Sequence, residues 1–343
     1  MRVIIDVMSG DNAPLELLKG AVMASEECGE EIVVVGDEKI IAEVSKKENL
    51  SLDKISVVHA DDVITMEDEA LSVIRAKKTS SMSVGLKMLA EGQGDAFVSA
   101  GNTGALLAGA TLIVRRIKGI RRAGIATVLP LTTPLLLLDS GANLEITASD
   151  AEQFAIMGSI YMNKIYGIEN PRVGQANNGT EHNKGKQLQI EIYKQLSNSK
   201  DINFVGNIEG KMIPFSSCDV LVADGFTGNI ILKTIEAMGK FIFKELKGVF
   251  YSNFVTKLSA LAMKSKIKDM RKKFDASEHG GAPILGIAKP VIKAHGSSDA
   301  KAIKNAVRQA INFVNTGINS EIGEWAAQAQ EEKKSQKEAA EEK

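Results

Sequence analysis

Cysteine, histidine and aromatic side chains are scarce in this sequence, and no apolar run is long. Two cysteines, Cys28 and Cys218, stand far apart without metal-like spacing, which fits a reducing cytosol better than a disulfide framework. Both read as inert core thiols rather than nucleophiles. The four histidines, His59, His182, His279 and His295, are scattered, so no zinc cluster is legible, and neither metal nor cofactor is expected. Aromatics make up 5%, with Trp325 the single tryptophan, so the core must be aliphatic. The apolar run after Arg2 stops at Asp6, too soon for a signal peptide. The longest apolar stretches, such as residues 104–114, fall short of the roughly 18–20 that a membrane span needs. An excess of one charge is missing too. In 343 residues, 42 Lys and Arg face 43 Asp and Glu, a formal net charge of −1 that disfavours nucleic acid as a partner.

What is present is a globular composition, 44% hydrophobic and 25% charged, which excludes a disordered chain. The length exceeds the usual single-core limit of about 250–300 residues, so one large or two coupled units are expected. One device recurs along the chain: an apolar run, a loop of small and polar residues, then a helical pattern. Val3-Ile4-Ile5 leads to Ser9-Gly10-Asp11-Asn12, and Ala96-Phe97-Val98-Ser99 to Gly101-Asn102-Thr103-Gly104. Further copies end in Asp139-Ser140-Gly141-Ala142-Asn143, Asn177-Asn178-Gly179-Thr180, Asp224-Gly225-Phe226-Thr227-Gly228-Asn229 and His295-Gly296-Ser297-Ser298. Wholly apolar strands alternating with helices predict an α/β fold with a mainly parallel sheet sandwiched by helices. Ligands in such folds bind beyond the carboxyl ends of the strands, where these loops lie. The expected organisation is one large α/β unit over 1–327. A basic, apolar helical hairpin protrudes at 239–275, and 328–343 is a charged tail, disordered or a frayed helix.

The Gly101-Asn102-Thr103-Gly104 loop is the sharpest local feature. Glycines permit close backbone approach, and a helix starting there offers free N–H groups to an anion. Alone, it reads as well as a capped tight turn. It has neither the Gly-Lys-Ser/Thr ending of a Walker loop nor the dinucleotide fingerprint. Several such loops together make a polar, donor-rich crevice suited to phosphate, with a carboxylate as the alternative. Lys184, in a Gly-flanked polar stretch, neutralises a phosphate or is merely solvated. His295 is an acid/base, an oxyanion donor or a satisfied core histidine. Asp139 and Asp224 orient donors or cap helices, and His279-Gly280-Gly281-Ala282-Pro283 reads as a structural turn.

The loops above, with Asp6-Val7-Met8-Ser9-Gly10-Asp11-Asn12-Ala13-Pro14, Phe154-Ala155-Ile156-Met157-Gly158-Ser159 and Gly280-Gly281-Ala282-Pro283, resemble the bacterial phosphate acyltransferase family (PlsX). They occur in the family's order over about residues 3–315. Ser9 stands where the family usually has Gly, and Ser140 where Val is common. The resemblance implies an enzyme of phospholipid synthesis. It would turn long-chain acyl–acyl carrier protein and inorganic phosphate into acyl phosphate and free carrier. It also implies an isocitrate/isopropylmalate dehydrogenase-like fold shared with phosphotransacetylases, a homodimer, and a cytoplasmic protein. That protein would touch the membrane peripherally, near the glycerol-phosphate acyltransferase that uses the product. On that reading Lys184, Asn229 and His295 are catalytic. Phosphate and substrate fall to Asp11, Ser99, Gly101, Asn102, Thr103, Gly104, Asp139, Asn143, Asn177, Asp224, Gly225, Gly228, Gly296 and Ser297.

Residues 240–273 carry nine lysines and one arginine against Glu245 and Asp269, interleaved with bulky apolar side chains. This suits an acidic carrier protein, an interfacial helix on an anionic membrane, or a dimer-forming hairpin with solvated lysines. Phe250, Phe254, Leu258 and Leu261 are the expected membrane contacts. Rival functions are a coenzyme A-dependent phosphotransacetylase-like enzyme and a membrane-surface scaffold without turnover. A metal-dependent decarboxylating dehydrogenase should show clustered aspartates, and none are legible.

Overall fold

The computed structural model describes residues 1–273 and 280–341, so His279 and the last two residues each of the 239–275 segment and the tail lie outside it. The apolar runs become strands of two sheets. The first holds seven: β1 (Arg2–Asp6), β2 (Glu31–Gly36), β3 (Ile55–His59), β4 (Ala96–Ser99), β5 (Gly124–Ile125), β11 (Ala282–Leu285) and β12 (Val291–Lys293). Their order is β3-β2-β1-β4-β12-β11-β5, parallel except where β11 meets β12 and β5. The second holds five: β6 (Thr127–Leu129), β7 (Leu135–Leu138), β8 (Arg172–Asn177), β9 (Asn203–Glu209) and β10 (Val220–Val222), in the order β6-β7-β10-β8-β9. Only β6 runs antiparallel there. Between β5 and β6, the Ala126 N–H donates to Pro283 O, so one extended stretch joins the two sheets.

The central strands are covered on both faces, which is why β4, β7 and β10 are buried along their whole length, while the edge strands β3 and β9 are partly exposed and more polar. Alternation along β1 sends Val3 and Ile5 to one side and Ile4 to the other. The first side packs α1 (Leu15–Cys28) and α9 (Ala300–Asn315) through Leu17, Leu18, Ile303 and Val307. The second packs α3 (Ser81–Ala90) and α4 (Thr103–Gly109) through Leu86 and Leu106. In the second sheet, Leu136 and Leu138 meet Phe154 and Tyr161 of α5 (Ala148–Tyr166), with Leu196 of α6 (Gln187–Asn198) in the same cluster. Leu135 and Leu137 share the opposite core with Leu232 of α7 (Gly225–Phe250).

α7 leaves the body and turns at Tyr251–Asn253 into α8 (Phe254–Lys273), which buries none of its described side chains. The second helix of the basic segment is therefore a protruding arm. The charged tail continues α10 (Ile318–Glu341), whose first turns pack Ile318, Ile322 and Ala326 into the second sheet's core.

The contact of α1 with α9 is close enough to test. A Cβ added at Gly20 would lie 2.6 Å from Ile303 Cβ and 2.7 Å from Ala300 O. Gly20→Ala gains about 1 kcal/mol in helix propensity. Overpacking against backbone costs about 1–3 kcal/mol, and because part of the obstacle is a carbonyl, that cost wins. A lowered urea midpoint with an unchanged slope is expected; a raised midpoint would contradict the packing described.

Candidate functional site

Three parallel neighbours of the first sheet end on one rung. Asp6 pairs with Ser99, and Ser99 with Lys293, so their side chains emerge together. Ser99 Oγ donates to Asp6 Oδ2 at 2.8 Å and accepts the Gly101 N–H at 3.1 Å. Ser99 is buried and fully committed: it fixes the start of the 101–104 loop. Lys293 Nζ donates to Ala100 O at 3.4 Å and also to Ala294 O, joining that loop to the one carrying His295. Burial, then repulsion by Lys233, push the Lys293 ammonium down to about 8, against the pull of Asp11 and Asp6.

The loops after β1 and β12 are stitched by backbone. Asp11 N–H donates to Gly296 O at 2.8 Å, and Asn12 Nδ2 to Ser297 O and Ser298 O at 3.1 and 3.2 Å. Ser297 N–H donates to His295 Nδ1 at 3.2 Å, which leaves the neutral imidazole its proton on Nε2. Partial burial, then the Lys233 charge and more weakly those of Lys293 and Lys240, lower the His295 pKa against Glu236. Lys233, Glu236 and Lys240 belong to α7, so the second sheet's helix faces the His295 loop across a cleft. Lys233 itself pairs with Glu236 at 2.9 Å.

Asn102 caps α4 by accepting the Ala105 N–H, while its Nδ2 donates to Thr65 O, Met66 O and Asp68 O. Its side chain builds the loop. Thr103 and Gly104 are exposed at the helix start and remain open to an anion. Ser9 Oγ is buried without a hydrogen-bond partner, against Gly101. The other unusual serine, Ser140, donates to Ile125 O at 2.9 Å and lies 2.7 Å from Thr127 Oγ1.

On the second sheet, the buried Asp139 carboxylate accepts the N–H groups of Ile125, Gly141, Ala142 and Asn143, plus Asn143 Nδ2. Burial raises its pKa and these bonds oppose the rise. Asn143 O accepts the Gly225 N–H at 2.7 Å, and Asp224 caps α7 through the Thr227 N–H at 2.8 Å. A Cβ at Gly228 would lie 1.9 Å from Asp139 O, so only glycine lets the first turn of α7 sit there. This seats Asn229 beside Gly141, exposed and without a hydrogen-bond partner among the described residues. Asn177 Nδ2 donates to Lys184 O, and the half-exposed Lys184 ammonium stands 3.8 Å from Glu181. No hydrogen bond or ion pair among the described residues ties Lys184 to the Gly101 or His295 loops. The site thus assembles Asp11, Gly101–Gly104 and His295–Ser297 on one side and Asp139–Asn143 and Asp224–Asn229 on the other. Lys184 and Asn177 stand at the end of the neighbouring β8. The sequence reading missed Lys293, Asn12 and Lys233. Lys293 ends an apolar strand, and only its rung beside Asp6 and Ser99 reveals it.

The chain matches a family model described as fatty acid synthesis protein over residues 1–321. It is 46% identical to a phosphate acyltransferase of Thermoanaerobacter pseudethanolicus over 94% of this chain and 97% of that protein. It is 43% identical to one of Bacillus licheniformis over 97% of this chain and all of that protein. Among solved structures it resembles a phosphotransacetylase from Streptococcus pyogenes, with TM-score 0.62, 16% identity and coverage of 92% and 94%. A branched-chain phosphotransacylase from Enterococcus faecalis gives TM-score 0.57, 14% identity and coverage of 92% and 99%. At such identities these two likenesses concern the fold alone.

The cleft's cations give a pH test. Lys293 is charged below about 8 and neutral above it, so phosphate affinity should fall as pH rises through that value. From pH 7 to 9 the expected loss in calorimetric titration is roughly tenfold. Lys293→Arg stays charged and should remove the step, while controlling for phosphate's own titration and for the other facing groups, Asp6, Asp11, Lys233 and His295. A step that persists in the arginine variant would exclude Lys293 as its source.

Proposed function

Because the chain belongs to the fatty acid synthesis protein family, and its relatives at 43–46% identity are phosphate acyltransferases, we propose that it transfers a long-chain acyl group from acyl carrier protein to inorganic phosphate. The structural observation that carries this reading is the cleft itself. One wall presents the open start of α4 and the Lys293 ammonium; the other is α7, whose Lys233 acts on both Lys293 and His295 and whose first turn carries Asn229. A phosphate held by the Gly101–Gly104 backbone and Thr103 is countered by Lys293 and Lys233, and the charge of Lys184, in the loop after β8, is assigned to the same role. One of its oxygens attacks the thioester carbonyl carbon. The C–O bond forms, the C–S bond breaks, and the sulfur leaves with its electron pair and takes up the proton that hydrogen phosphate gives up, becoming the carrier thiol. Asn229 Nδ2 and His295 Nε2–H donate to the oxyanion in between. The nucleophile is the substrate phosphate, so no acyl-enzyme is needed, and the two cysteines fit that. Burial holds Cys218 up at about 12, and burial also raises Cys28.

The test mixes protein, acyl–acyl carrier protein and phosphate without added metal, then traps acyl phosphate with hydroxylamine. Hydroxamate well above background is expected, and Asn229→Ala or His295→Ala should each lower its rate by about 10²–10³. No hydroxamate from the native chain would end the proposal, and near-normal rates in both folded variants would end the donor roles.

We further propose that the arm serves assembly and membrane contact. Phe241, Ile242 and Val249 on α7 are more than 45% exposed and offer a face for a second copy. Phe254 is 81% exposed, Leu258 61% and Leu261 67%, on a lysine-rich helix beyond the half-buried Phe250. That pattern suits a peripheral helix on an anionic bilayer. No helix among the described residues is long and apolar enough to cross a membrane. Acyl phosphate released there would pass to a glycerol-phosphate acyltransferase. Phe254→Glu with Leu258→Glu should abolish sedimentation with anionic liposomes; unchanged sedimentation would contradict membrane contact through α8.

A further inference from the structure

Beside the cleft lies a cavity of about 370 Å³ whose chemistry the acyl-transfer step does not use. Its wall includes Thr111, Arg116, Arg121, Arg122, Asn143 and Asp150. Three guanidinium groups surround one carboxylate, so the cavity is cationic. The carboxylate sits among them: Asp150 is 1% exposed, with Arg121 Nε 3.3 Å from Oδ1 and Arg122 Nε 3.4 Å from Oδ2, ion pairs made without a hydrogen bond. With Nε the nearest group to Asp150, each of these arginines has terminal N–H groups for a ligand. Arg122 offers one of them to Asn143 Oδ1 at 3.4 Å. Arg116 has no hydrogen bond or ion pair through its side chain among the described residues. The loop carrying these groups is itself fixed, because Gln153 accepts the Arg121 N–H at 2.8 Å and donates to Gly119 O at 2.9 Å.

The cavity adjoins the reacting centre. Asn143 is bound by the Asp139 carboxylate and accepts the first N–H of α7, so it forms part of the wall between the two. Along α4 and its widened π-turn continuation (110–114), Thr111 stands eight residues beyond Thr103, roughly 12 Å at about 1.5 Å per residue. An anion bound here is therefore about a short linker's length from phosphate at the α4 start. We propose that this arginine cavity binds the phosphate ester at the base of the donor's pantetheine arm, anchoring the carrier while the thioester reaches the cleft. The inference rests on the acyl-carrier reading above. Guanidinium forks suit a phosphate ester because they grip two oxygens at once.

The test uses 4′-phosphopantetheine and pantetheine, which differ in the phosphate ester alone, as inhibitors of hydroxamate formation by the full chain. Phosphopantetheine should inhibit roughly tenfold more tightly, competitively against acyl carrier protein and not against inorganic phosphate. Arg116→Gln or Arg121→Gln should remove the difference and raise KM for the acyl carrier on a similar scale, leaving KM for phosphate in place. Arg116→Lys should restore part of it. Equal inhibition by the two compounds, failure of both to inhibit, competition with inorganic phosphate, or a difference that survives both glutamine variants would overturn the proposal. These results leave the acyl-transfer reading standing, whereas a native chain that forms no hydroxamate overturns both.

Discussion

The carboxylate of Asp139 is the interaction on which the site depends. It is fully buried, at the end of a strand that is apolar throughout, and it gathers four backbone N–H groups and the amide of Asn143. Buried charge is tolerated only where it is this fully bonded. The consequence is a loop with one shape. That shape brings Asn143 O to the first N–H of α7 and Asp139 O to the space that a side chain at position 228 would fill. The direction of α7 follows, and with it Asn229, Lys233 and the arm that ends in α8.

The first sheet solves the matching problem differently. Asp6, Ser99 and Lys293 end adjacent strands on one rung, and hydrogen bonds from Ser99 and Lys293 tie the following loops together. The two half-sites meet because the 124–129 stretch passes from one sheet to the other without a flexible linker. The cleft thus sets Lys293 and Lys233 beside Asp6 and Asp11 inside a chain of net charge −1. Lysines and arginines collect in the cavity beside the cleft and on the arm, while α10 carries six glutamates against three lysines.

Much of this was legible in the sequence, and the reasons differ by element. The alternation of apolar runs with helical patterns gives a doubly covered parallel sheet, because full burial of strands leaves that composition. Loops rich in Gly, Asn and Asp mark strand ends for the same reason. What the linear order conceals is pairing between distant strands. Lys293 sits in an apolar run and gains its meaning from Ser99, far away in the chain. Ser99 and Asn102 looked like substrate ligands, yet their polar atoms hold the loop together. Asp150 completes the capping box of α5 with Thr147, and only packing brings it beside Arg121 and Arg122. The split of the chain into two joined sheets rests on the two-residue β5 and the three-residue β6, too short for any periodicity to register.

The central claim is that bound phosphate attacks the thioester directly, with the protein supplying position and donors. The most direct measurement follows carrier thiol release when excess native protein is mixed with acyl–acyl carrier protein in the absence of phosphate. Direct attack requires that no thiol appear until phosphate is added, whereupon thiol and acyl phosphate form together. A stoichiometric burst of thiol before phosphate, with acyl label retained on the protein, would contradict it.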